Sequence, residues 1–171
     1  MDRLEGDFND VLVIRELRGD FPSVPFFDDI DIAELTKGDD DPLYLTIPIG
    51  KANVISGNKR FYDEAWLQEL ERQVKAQRPI GIMGHLSEED AKTKFPEEAV
   101  FWLGVQRVGE LLWAKGYIPA KSAARERIRR YKHTNKAIGT SIFAKAEGVW
   151  NKARGAYDML AETLQLQQID I

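Results

Sequence analysis

The sequence predicts an α+β fold: a curled, barrel-like, mostly antiparallel β-sheet surrounded by helices. Strand-like apolar runs punctuated by turns dominate the chain. Only two segments carry strong helical character, residues 62–77 and 121–135. The 171-residue length fits one domain with an appended arm, and no internal repeat breaks it up.

Composition removes several classes of function. Hydrophobic residues make up 43% and charged residues 30%, as in ordinary globular proteins. No run approaches the ~20 apolar residues that cross a bilayer, and the N-terminus lacks the layout of a secretory signal. The chain has no cysteine, which excludes disulfides, thiolate metal sites and a cysteine nucleophile, and points to a reducing compartment. With two histidines, His85 and His133, a histidine-rich metal centre is not expected.

Charge divides the chain. Residues 1–42 carry thirteen acids and four bases, a net charge of −9; residues 43–171 carry fifteen acids and twenty bases, a net of +5. Residues 1–42 are therefore expected to form an acidic N-terminal arm that could fold back on the body, bind elsewhere or serve solubility alone, with 43–171 as the functional domain.

The elements follow in order. Val11-Leu12-Val13-Ile14 reads as a short buried strand. Residues 19–42 mix prolines, acids and Phe21, Phe26 and Phe27, the composition of an irregular arm pinned by its aromatics. "LYLTIPIG" is a strand, and Pro48 favours an edge position because it cannot donate to a ladder. "SGN" turns the chain into the first helix, with Asp63 as its cap and Trp66, Leu67, Leu70 and Val74 on one face.

"RPIGIMGH" reads as a buried strand ending at His85, and "LSEEDAKTKFPEE" as a polar loop. "AVFWLGVQRVGELLWAKGYIPA" reads as two strands meeting near Gly109. The second helix, "KSAARERIRRYKHTN", precedes a strand over 138–146; residues 148–157 fit helix and strand alike, and "ETLQLQQIDI" closes the chain as a strand whose first half also fits a helix.

Two residues invite a chemical reading. Ser141 lies in "AIGTSIFAKAEG", where Gly139 bares one side of a strand and side-chain alternation puts Gly139, Ser141 and Phe143 on one face. His85 ends an apolar strand beside Gly84, where an imidazole is open to substrate. Acyl transfer by serine needs such a base, a group orienting it and donors for the oxyanion. A buried serine bonded to a carbonyl and a satisfied surface histidine would fit the same residues. His133, among the cations of the second helix, reads as a solvated residue. Asp170 in "QQIDI", Asp158 and Glu162 are the candidates for the orienting carboxylate, and spacing does not separate them.

Residues 121–136 carry seven bases and one acid, with Tyr131 as the one aromatic. A stacking platform for single strands is not evident, so a solvated face or a dock for the acidic arm is preferred to nucleic-acid binding.

In their order these pieces resemble the bacteriophage prohead proteases, capsid-maturation serine proteases related to herpesvirus assemblin. The resemblance spans residues 43–171 and is carried by "SGNKRFYDEAWLQEL", "PIGIMGH", "VGELLWAKGYIPA", the basic helix, "AIGTSIFAKAEG" and "LQLQQIDI". It implies an assemblin-like fold in which a histidine ending a strand is the base and a serine after the long helix is the nucleophile. Carried over, the base is His85, the nucleophile Ser141 and the third member Asp170. The herpesvirus enzymes use a second histidine as third member; this chain has none after Ser141 and resembles a branch that uses an acid.

The resemblance further implies cleavage of scaffold and major capsid proteins, and of the chain itself, during maturation of a viral prohead in the host cytoplasm. It implies no cofactor and no metal and leaves homo-oligomer formation open; the arginine-bearing segment that helps build the assemblin oxyanion hole has no counterpart before Ile171, so backbone amides near the basic segment are the expected donors. A non-catalytic scaffold- or shell-binding module with the same fold is the alternative.

Overall fold

Asp63 starts the best-defined helix by accepting a hydrogen bond from the Trp66 N–H at 2.8 Å, and Arg78 ends it in a left-handed conformation. The computed structural model describes residues 3–14, 21–84, 86–134 and 136–171. In chain order the elements are β1 (Arg3–Ile14), α1 (Ile32–Leu35), β2 (Leu43–Lys51), β3 (Val54–Ile55), β4 (Arg60–Tyr62) and α2 (Glu64–Gln77). Then follow β5 (Ile80–Gly81), α3 (Glu88–Thr93), β6 (Val100–Val108), β7 (Leu111–Ile118) and α4 (Ala123–Thr134). The chain closes with β8 (Ile138–Asn151), β9 (Ala156–Met159), a 3₁₀ turn at Ala161–Thr163 and β10 (Gln165–Asp170).

The strands form two sheets. One has the order β1-β8-β9-β4-β3, with β10 also paired to β8; the other has the order β2-β7-β6-β5. Every pairing is antiparallel except β4 with β9. The expected α+β, mostly antiparallel architecture is present, and Pro48 sits on β2, an edge strand, beside a register shift.

Trp66, Leu67, Leu70 and Val74 of α2 are buried with Ile47 and Ile49 of β2, Trp102 of β6 and Ile169 of β10 in one core. Gln73, on the same helix, is buried but satisfied: its Nε2 donates to the Leu164 carbonyl at 2.6 Å and its Oε1 accepts from the Leu166 N–H at 2.7 Å. That side chain ties α2 to the start of β10.

Several local expectations are corrected. "RPIGIMGH" keeps ladder pairing with β6 only at Ile80 and Gly81; residues 82–84 turn to β10 instead. The polar loop after it contains a helical turn, α3, because Ser87 caps it by accepting from the Asp90 N–H at 3.1 Å. The strand bearing Ser141 runs on to Asn151, since β1 pairs with it as far as Val149 and β9 as far as Asn151.

The arm is tied down. Val24 is buried, the Phe27 N–H donates to the Leu103 carbonyl at 2.8 Å, and Phe26 meets Tyr44 edge-on. Gly104 is required beneath it, because a Cβ there would lie 2.2 Å from the Pro25 carbonyl oxygen. At its far end Asp39 pairs with Arg125 of α4, both side chains only 6% exposed, and accepts from the Tyr117 hydroxyl at 2.7 Å. The Arg125 guanidinium and then the Tyr117 hydroxyl hold the Asp39 carboxyl far below the ordinary carboxylate range. Burial, followed by Asp39, pushes the Tyr117 phenol upward. Asp41 pairs with Arg129 one helical turn along. The basic helix is thus a dock for the acidic arm.

Candidate active site

The site is built on a strand pair whose register depends on one bulge. β10 begins against β8 with Gln165 opposite Lys145 and Leu166 opposite Ala144. A shift between Leu166 and Gln168 then advances β10 by one residue, so that Gln168 faces Phe143, Ile169 faces Ile142 and Asp170 faces Ser141. Without that extra residue Ile169 would stand opposite Ser141.

Both members of the pair are buried, Ser141 to 5% exposure and Asp170 to 1%. The Ser141 Oγ has no hydrogen-bond partner among the described residues. Its neighbour Thr140 shows the ordinary alternative: that hydroxyl donates to the Pro48 carbonyl at 2.8 Å. A buried hydroxyl left without any partner would forfeit a hydrogen bond, so the Ser141 Oγ is the buried hydroxyl that the described residues leave to be satisfied from elsewhere.

Asp170 is held in place. Its Oδ1 accepts from the Ile82 N–H at 2.9 Å and from Gln168 Nε2 at 2.7 Å, and Oδ2 receives the same amide at 3.0 Å. The main chain beside it is bonded to the segment that leads to His85: the Ile171 N–H donates to the Ile82 carbonyl at 3.0 Å, and the Gly84 N–H to the Ile171 carbonyl at 2.9 Å. Gly81 permits this approach, since a Cβ there would lie 1.8 Å from the Ile169 carbonyl oxygen. That oxygen also accepts from Trp102 Nε1 at 2.9 Å. His85 itself lies outside the described residues; Gly84, the residue before it, is anchored next to Asp170 in the chain.

The other candidates stand elsewhere. Asp158 pairs with Val149, eight residues along β8 from Ser141, a strand distance of roughly 26 Å. It accepts from Asn151 Nδ2 at 2.7 Å and Arg154 Nε at 2.8 Å. Glu162 is exposed, in a shallow depression beside Gln68 and Arg72 of α2. His133 is exposed on α4.

A cleft of about 250 Å³ reaches Gly139, two residues before Ser141, and Ile171, the residue after Asp170, without being lined by either member of the pair. Met83, Gly84 and Ile171 form one wall, Arg127, Ile128 and Tyr131 of α4 another, and Ala137 to Gly139 the floor leading into β8. Strand alternation puts Gly139 on the face that Ser141 shares. Arg127 Nε donates to the Tyr131 hydroxyl at 3.0 Å, so the charged side chain among the described lining residues is braced along its own helix. Sequence reasoning missed the cleft wall and also Gln168, although Gln168 and Asp170 are two apart on one strand and share a face.

Among the described residues no cluster of three or more His, Cys, Asp or Glu is arranged to hold a metal, and no helix is long and apolar enough to cross a membrane.

No protein-family model and no characterised protein matches the sequence. Among solved structures, the bacteriophage T4 capsid assembly protease gp21 is similar, with a TM-score of 0.59 over 95% of this chain and 96% of that one at 12% identity. At that identity the likeness is one of fold: the chain has the fold of a phage capsid assembly protease.

Proposed function

We propose that this chain is a serine endopeptidase that cleaves scaffold and capsid proteins, and itself, within a phage prohead. The observation that carries the reading is the buried Ser141 Oγ, without a partner among the described residues, directly across the ladder from a carboxylate, Asp170. The fold of the T4 capsid assembly protease, shared over nearly the whole chain, supports it.

In this reading His85 removes the Ser141 proton as Oγ attacks the scissile carbonyl, and later delivers that proton to the leaving amine. Asp170, immobilised by Ile82 and Gln168, orients the imidazole and stabilises its protonated form. Backbone amides near the basic segment hold the oxyanion. The apolar cleft beside Gly139 receives the substrate chain. No cofactor or metal enters the reaction, and confinement within the shell keeps scaffold and capsid protein at high local concentration.

One observation favours the second reading, a non-catalytic scaffold- or shell-binding module: Ser141 is only 5% exposed. Nucleic-acid binding by α4 is disfavoured because Arg125 and Arg129 are engaged by Asp39 and Asp41.

Ser141→Ala decides between the first two. Incubated with scaffold protein and followed on a gel, the unaltered chain is expected to cut it and to react with a serine-directed phosphonate; Ser141→Ala does neither. Since Oγ gives up no hydrogen bond among the described residues, the variant keeps its stability. Asp170→Asn is expected to lower kcat by up to ~10⁴ while leaving residual turnover. Scaffold cleavage by Ser141→Ala would refute the assignment.

A further inference from the structure

Residues 92–98 are all exposed, and at their centre Phe95 is 100% exposed; among the described residues the other exposed large apolar side chains reach only 37–48%. The Phe95 ring buries no surface in this fold and keeps its full apolar area for a contact made elsewhere. Its position says what that is. The segment leaves the body after Gly84, which lines the cleft, and returns at Ala99, whose N–H donates to the Gly81 carbonyl at 2.8 Å. Both of its ends are therefore anchored on β5 and the short run beyond it.

Reach is sufficient. Phe95 is four residues from Ala99, at most about 14 Å of extended chain, while Gly84 is three residues from Gly81, at most about 11 Å. The cleft has apolar walls, Met83, Ile128, Tyr131 and Ile171, and lies open on one side.

We propose that Phe95 is a substrate-positioning residue: segment 86–98 folds down over a polypeptide seated in the cleft, and the Phe95 ring packs on it from the solvent side. This rests on the protease reading for the identity of the occupant. The ring gains burial only when substrate is present, so it tightens binding without taking part in bond cleavage.

The test uses Phe95→Ala, with Phe95→Leu as the conservative variant. Because the ring packs on nothing in the free protein, the melting temperature is expected to be unchanged. In the active chain KM for scaffold protein rises about tenfold, the equivalent of about 1.4 kcal/mol, with kcat unchanged, and Phe95→Leu restores most of the loss. In a Ser141→Ala background, Kd for fluorescein-labelled scaffold protein rises by the same factor. Unchanged KM and Kd overturn the inference, and so does a Phe95→Ala protein that changes oligomeric state at constant Kd, which assigns the ring to a second copy. If the unaltered chain cuts nothing, the protease reading fails by itself, and the Kd comparison still decides the role of Phe95.

Discussion

Gly81 is where the fold and the proposed site are most tightly joined, and replacing it with alanine tests both. Its backbone is not in the left-handed region, so alanine brings no intrinsic strain. The added Cβ would, however, stand 1.8 Å from the Ile169 carbonyl oxygen and 2.9 Å from Val100 Cγ1. Tolerable contact begins above 3.0 Å, and the first obstacle is backbone that cannot rotate away. β5 and β10 must therefore part, which strains the Trp102 bond to the same oxygen and the Ile82–Asp170 bond. Overpacking of this kind costs about 1–3 kcal/mol, or about 2–12 °C in Tm for a chain of this size. Displacing Asp170 by about 1 Å is expected to lower turnover about 10²-fold even where the protein is fully folded. Thermal denaturation gives the first quantity and scaffold cleavage at 20 °C below Tm the second. Gly57→Ala, where a Cβ would meet nothing within 4 Å, is the control. A Gly81→Ala protein as stable and as active as the parent would falsify the placement of β5 against β10.

Two further outcomes are expected. Gln73→Ala orphans the Leu164 carbonyl and the Leu166 N–H, and should cost about 1–3 kcal/mol for each, read by urea denaturation. The Asp39 carboxyl has a depressed pKa in the folded chain, so its contribution is fully present above the ordinary carboxylate value of about 4 and is lost as pH falls from there through the depressed value. Urea midpoints measured from pH 5 downward should therefore fall more steeply for the unaltered chain than for Asp39→Asn. Parallel slopes would show that the Asp39–Arg125 pair is not linked to folding.

What could be read from the sequence is what local chemistry controls. Asp63 followed by Trp66, Leu67, Leu70 and Val74 specifies α2, because a cap and a 3.6-residue period act within a few turns. Pro48 specifies an edge because it lacks an N–H. The charge contrast between the arm and the basic helix leaves docking, solubility and a solvated helix face all open, and the structure shows Asp39 and Asp41 paired with Arg125 and Arg129. The order of histidine, serine and acid, with the family resemblance it carries, is likewise a property of the chain.

The choice among Asp170, Asp158 and Glu162 was not open to sequence, because all three are acids near β-strand patterns. By position alone the tertiary structure sets Asp170 apart, since one extra residue between Leu166 and Gln168 puts it, and not Ile169, opposite Ser141. Nor does sequence distinguish Thr140 from Ser141; only the arrival of the Pro48 carbonyl, 92 residues away, satisfies one hydroxyl and leaves its neighbour without a partner among the described residues. Pairings over such distances are fixed by the closing of the whole sheet, and no window of local sequence contains the energy that sets them.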